Sequence, residues 1–135
     1  MRDIRSGDGS ADDNIPVQVL LAEDEFLIRY DLAESIRELG WHVYEVASAD
    51  EGLSIIRQGI HIDLLVSDVN MPGDADGVDL AVEVRRALPQ ARIMLMSGMM
   101  RASTLPPTLD LFSPKPVVRI KELLSDLMSK VAPTR

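Results

Sequence analysis

Four places in this chain put a side chain capable of chemistry directly after an apolar run. Asp68 follows Leu64-Leu65-Val66-Ser67, and Glu23-Asp24-Glu25 follows Val17-Gln18-Val19-Leu20-Leu21-Ala22. Ser97 follows Arg92-Ile93-Met94-Leu95-Met96, and Lys115 stands in Ser113-Pro114-Lys115-Pro116, just past Leu109–Phe112. Each has an ordinary explanation alone. Asp68 beside Asn70 and Pro72 suits a turn, the acidic triplet suits a helix N-terminus, Ser97 beside Gly98 suits a turn, and Lys115 suits a solvated surface. Gathered at one rim they would do more. Three carboxylates within a few ångströms repel by about 4 kcal/mol per pair at an effective dielectric of 20 and ~4 Å, so they need a cation or shifted pKa values. Hard oxygen donors favour magnesium. A carboxylate nucleophile with a divalent ion, a hydroxyl and an ammonium nearby suits a phosphoryl group carried on that carboxylate.

The elements that must position these groups follow from periodicity. Val17–Ala22 reads as a first strand, and Ile28, Leu32, Ile36 and Leu39 recur at helical spacing before Gly40. His42–Val46 is more polar, as an edge strand would be, and Ser48-Ala49-Asp50-Glu51 has capping-box form before a helix that turns Ala49, Leu53 and Ile56 inward and stops at Gly59. Asp63–Ser67 is the third strand. A helix with Val78, Ala81, Val84 and Leu88 on one face runs from Gly77 to Pro89, with Asp74 or Asp76 as candidate caps. Arg92–Met96 is a fourth strand and Leu109–Phe112 a short fifth at the other edge, followed by a helix with its stripe from Ile120 to Val131. Apolar strands alternating with amphipathic helices predict a doubly wound α/β domain: five parallel strands in the order 2-1-3-4-5, covered on both faces, with the ligand crevice at the carboxyl ends of the first and third strands.

Composition bounds the function. The 135 residues carry 22 acids and 14 bases, a net charge of -8 that disfavours direct nucleic-acid binding and anionic membranes. There is no cysteine, hence no thiol catalysis or disulfide framework, and no apolar run of membrane or secretory length, so a cytoplasmic location is the expectation. His42 and His61 lack ligand spacing and read as surface or hydrogen-bond-satisfied residues rather than metal ligands. Residues 1–15 read as a flexible tail, being rich in Gly, Ser and Asp, and residues 16–133 as the single domain.

In these motifs the chain resembles the receiver domain of two-component response regulators over nearly all of Val17–Val131, with a flavodoxin-like fold. The resemblance rests on Glu23-Asp24, Asp68 with Met71-Pro72-Gly73 behind it, Ser97, and Lys115-Pro116, in that order. It implies that Asp68 accepts a phosphoryl group from a sensor histidine kinase or a histidine phosphotransfer protein. Asp24 and Asp68 would bind Mg²⁺ directly, Glu23 through water, and the Asn70 carbonyl would complete the protein ligands. Ser97 would hydrogen-bond the phosphoryl group and Lys115 would pair with it, Phe112 would be the aromatic switch residue, and the Lys115-Pro116 bond would be cis. Output would pass to a downstream target by protein–protein contact, with no enzymatic role beyond Mg²⁺-dependent phosphoryl acceptance and slow self-dephosphorylation. With no effector segment in the sequence, the expectation is a stand-alone receiver of the chemotaxis type. Glu23 departs from the commoner aspartate, serine at 97 from the also common threonine, and Gly73–Gly77 is one residue longer than the usual loop.

Two rival enzyme or carrier readings fail on the first strand's end. A haloacid-dehalogenase-type phosphohydrolase needs a second aspartate two residues after its nucleophile, and a flavodoxin-like electron carrier needs a hydroxyl- and glycine-rich phosphate loop where this chain has acids. A phosphorylation-independent interaction module of receiver fold stays open as the alternative. Between Ser97 and Leu109 only eleven positions remain, and Pro106-Pro107 removes two backbone donors. The family's fourth helix is therefore expected to be short or absent there.

Overall fold

A computed structural model describes residues 15–99 and 109–130. The expectations for the N-terminal tail, for a short or missing helix across 100–108, and for the end of the last stripe at Val131 fall outside the described residues.

The strands are β1 (Gln18–Ala22), β2 (His42–Val46), β3 (Leu64–Asp68), β4 (Arg92–Ser97) and β5 (Leu111–Pro114). They pair in parallel in the order β2-β1-β3-β4-β5, as the alternation of the sequence requires. The helices described are α1 (Phe26–Arg37), α2 (Ala49–Arg57), α3 (Gly77–Ala87) and α4 (Ile120–Ser129). Period-2 alternation divides the core into two layers. Leu20, Leu65, Ile93 and Leu95 pack with Leu53, Leu80 and Val84 of α2 and α3. Their neighbours Val19, Leu21, Leu64, Val66, Met94 and Met96 pack with Leu32 and Ile36 of α1 and Leu124 of α4. The three central strands are buried on both faces, and their apolar runs are nearly unbroken for that reason.

The structure corrects three local expectations. The fifth strand begins at Leu111 rather than Leu109, because Asp110 turns its carboxylate onto the backbone N–H of Ile93 at 2.8 Å and caps the strand edge. It runs on to Pro114, which an edge strand tolerates. The inward stripe of α3 is Gly77, Leu80, Ala81 and Val84, with Val78 and Leu88 only partly buried. Leu80 is fully buried where α2 comes close, since a Cβ on Gly52 would lie 2.8 Å from its side chain. Finally, the capping box at Ser48 is half formed. Ser48 Oγ accepts from Glu51 N–H at 3.1 Å, but the Glu51 carboxylate reaches past Ser48 to Ala47 N–H at 2.9 Å. The complete reciprocal box is at Asp76 and Asp79 of α3, so of the two candidate caps Asp76 is the one used.

Candidate functional site

The carboxyl ends of β1 and β3 are adjacent, with Ala22 in register with Ser67, and the acids that follow meet there. One carboxylate oxygen from each of Glu23, Asp24 and Asp68 lies within 4.8 Å of the others. Glu23 and Asp68 are buried while Asp24 is exposed, so the cluster has a dry floor and an open side. Lys115 comes from the far edge of the sheet. Its Nζ donates to Glu23 Oε1 at 2.9 Å and to Asp68 Oδ2 at 3.1 Å. One ammonium among three carboxylates leaves an excess of negative charge, and the donors are all hard oxygens. This set fits a divalent cation such as magnesium.

The backbone around the site is held at several points. Glu23 N–H donates to Val46 O at 3.1 Å, its Oε2 accepts from Glu25 N–H at 3.0 Å, and its carbonyl accepts from Arg29 Nη1 at 2.9 Å. Helix-terminal charge is not the role of the triplet: Glu25 is the N-cap of α1 without a side-chain cap bond, and no acid lies in the first turn. Among the described residues, Asp68 Oδ1 accepts a long 3.4 Å bond from Asn70 N–H, a weaker engagement than that of Oδ2 with Lys115. Lys115 N–H donates to Ser97 O at 3.1 Å, tying the ends of β4 and β5 together, and the Lys115-Pro116 bond is cis.

Burial and charge compete at Glu23 and Lys115. Burial pushes the Glu23 carboxyl above its ordinary 4.5, assisted by Asp68, and outweighs the Glu25 N–H and Lys115, which pull it down. An ion pair alone would lower it. Burial likewise opposes the charge on Lys115, but the hydrogen bonds and charges of Glu23 and Asp68 prevail and raise its pKa above 10.5.

Of the residues singled out from sequence, Glu23, Asp24, Asp68 and Lys115 converge. Asn70 stands two residues past Asp68, and the backbone group seen at the cluster is its N–H, which donates to Asp68 Oδ1. Ser97 is buried one position beyond the Asp68 register on β4, and its Oγ accepts from Met99 N–H at 3.0 Å. Phe112 is not among the carboxylate cluster: it is in register with Leu95 on the edge strand β5 and is only partly buried, against the edge of the core layer that holds Leu95. His42 and His61 are exposed, as expected.

Three supports were not anticipated from sequence. Ser67 is fully buried and its Oγ donates to Asp68 O at 2.8 Å. A Cβ on Gly77 would overlap the Asp68 carbonyl and lie 2.9 Å from Val69 Cα, so only glycine lets α3 begin this close to the acid. Gly73 has a φ of +115° and sits against the Asp50 carboxylate, which also accepts from Asp74 N–H at 3.3 Å. The longer Gly73–Gly77 loop is pinned to α2 in this way. The glycines are visible in the sequence, but the contacts that demand them are with other elements, Gly77 with the end of β3 and Gly73 with Asp50 of α2.

A sequence profile described as the response regulator receiver domain matches residues 19–111, spanning β1 to the start of β5. The chain belongs to the response regulator receiver family. Among curated relatives, this receiver is 45% identical over 76 residues to the transcriptional regulatory protein PdtaR of Mycobacterium tuberculosis, covering 55% of this chain and 36% of that protein. It is 38% identical over 81 residues to the sensor kinase CckA of Brucella abortus, covering 59% of this chain but 8% of that protein. The match thus spans only the receiver-sized part of either relative. Among solved structures, the receiver domain of the hybrid histidine kinase CckA is 34% identical with a TM-score of 0.69, covering 85% of this chain and 99% of that one. A receiver protein from Sinorhizobium medicae is 26% identical with a TM-score of 0.75, covering 84% and 93%. TrrA of Thermotoga maritima, solved in complex with Mg²⁺ and BeF, is 26% identical with a TM-score of 0.72, covering 84% and 97%. The cluster Glu23, Asp24 and Asp68 is of the kind that forms the receiver metal site. Among the described residues no helix is long and apolar enough to cross a membrane.

Proposed function

We propose that this receiver is a phosphoacceptor: Asp68 takes a phosphoryl group from a phosphohistidine on a sensor histidine kinase or a phosphotransfer protein, and the phosphorylated domain signals by binding a target protein. The observation that carries the reading is the convergence of the Glu23 and Asp24 carboxylates and of Lys115 on the buried Asp68. In the transfer, an Asp68 carboxylate oxygen forms the new P–O bond as the P–N bond to the donor imidazole breaks. The imidazole leaves with a proton taken up from solvent. Lys115, already bonded to Oδ2, counters negative charge next to the incoming group. Glu23, Asp24, Asp68 and the Asn70 carbonyl are the groups that would hold Mg²⁺, which supplies Lewis-acid stabilisation of phosphoryl oxygens when bound. Ser97 would exchange its bond from Met99 N–H for one to the phosphoryl group, and Phe112 on the neighbouring strand would respond to that change. Activity beyond phosphoryl acceptance and slow self-dephosphorylation is not part of the proposal.

A docking place for the donor is at hand. A groove of about 460 Å³ is lined by Leu27, Ile28 and Asp31 of α1 and by Lys115, Pro116 and Val117. Phe26, Leu27 and Tyr30 expose apolar surface along the same helix. Incubation with a small phosphodonor and Mg²⁺ should add the mass of one phosphoryl group, and a chelator should prevent the gain. An unchanged mass under both conditions would favour the phosphorylation-independent module.

A further inference from the structure

We infer that Arg29 is a positioning residue for the ion site: it fixes the backbone from which Glu23 and Asp24 present their carboxylates, although it carries the same sign of charge as the ion. The inference rests on the metal reading above and adds a residue to it. Arg29 is in the first turns of α1, and its guanidinium makes three contacts. Nη1 donates to Glu23 O at 2.9 Å, Nε lies 3.4 Å from Glu45 Oε1, and the group sits 5.5 Å from the centre of the Phe26 ring. Glu45 is in turn held by Arg37 at 2.9 Å, which fixes the anchor on β2. The residue after Glu45 is Val46, whose carbonyl accepts Glu23 N–H. Arg29 therefore closes a ring joining the acidic loop to β2 through both backbone groups of Glu23.

The need for such a tether follows from charge. Glu23 is completely buried beside Asp68, and Asp24 is exposed at the start of a loop. One ammonium, that of Lys115, only partly offsets the repulsion among three carboxylates, and what is left pushes the Glu23–Asp24 backbone away from Asp68 when no divalent ion is bound. A bond to the Glu23 carbonyl holds that peptide in place without Arg29 engaging any of the three carboxylates. The guanidinium presents Nη1 to the Glu23 carbonyl and Nε to the Glu45 carboxylate from one rigid, planar fork, a spacing that the single point charge of a lysine ammonium does not reproduce. Groups that orient metal ligands from behind in this way typically carry ten- to a hundredfold in affinity.

The sign of the effect separates positioning from simple charge. Removing a positive charge near a cation site should tighten cation binding by electrostatics alone, whereas loss of the tether should weaken it. Mn²⁺, which favours the same hard oxygen donors, can be titrated into the folded chain while the resonance of the free ion is followed by electron paramagnetic resonance. Arg29→Gln is expected to weaken Mn²⁺ binding roughly tenfold, and Arg29→Lys to weaken it despite keeping the charge. Glu45→Gln, which loosens the anchor, should weaken it less. Unchanged or tighter binding in Arg29→Gln, even with a lowered melting temperature, would overturn the inference and leave the metal site standing. Failure of the wild-type chain to bind Mn²⁺ at millimolar concentration would overturn the metal reading and this inference together.

Discussion

Glu23 has the most to gain from an ion. It is completely buried, its pKa is raised by burial, and Lys115 only partly compensates. A carboxyl whose folded pKa lies above its unfolded value stabilises the fold below the unfolded pKa, and that contribution is lost as pH rises through the folded pKa. Without divalent cations, the wild-type chain should therefore lose stability from Glu23 as pH climbs above 4.5, and Glu23→Gln should remove that component. Melting curves of the two proteins in chelator across this range would show the gap between them changing in favour of the variant. A gap independent of pH would mean that Glu23 is not held at a raised pKa. Lys115 acts in the opposite window: its pKa is raised, so its contribution persists through neutral pH and fades only above 10.5.

At the scale of elements, the site depends on how closely α3 approaches the end of β3. Gly77→Ala places a methyl where the Asp68 carbonyl and Val69 backbone already are. Backbone cannot yield as a flexible side chain can, so the variant should lose ~1–3 kcal/mol of stability in urea titration. It should also accept phosphate more slowly than wild type at a temperature where both are folded. A variant of wild-type stability would show that α3 can retreat without cost. This contact was not legible in the sequence, whereas the strand ends were. An acid at the end of Leu64-Leu65-Val66-Ser67, or straight after Leu20-Leu21-Ala22, can be read because burial on both faces demands a nearly unbroken apolar run and a carboxylate ends it. The start of β5 was misread by two residues, since Leu109 continues the alternation of Leu111 while Asp110 spends its carboxylate capping β4. Arg29 and Gly77 act through contacts with Glu23 and Asp68, which no local pattern of spacing encodes.

For the whole molecule, with a net charge of -8 and three carboxylates at one rim, the proposed cation binding would be linked to folding stability. An ion that binds only the folded state stabilises it by about 2.7 kcal/mol at a hundred times its dissociation constant. Millimolar Mg²⁺ should accordingly raise the melting temperature by several degrees, and Asp24→Asn should remove most of the rise. A melting temperature indifferent to Mg²⁺ would contradict the cation site. The order of strands, the two-layered core and the convergence at the carboxyl ends all place Asp68 at the centre of this arrangement. The most direct test is therefore to treat the wild-type chain and Asp68→Asn with a small phosphodonor and Mg²⁺, and to weigh and fragment the products by mass spectrometry. The account predicts one phosphoryl group on Asp68 of the wild type and none on the variant. A label that persists in Asp68→Asn, or that maps to another residue of the wild type, would contradict it.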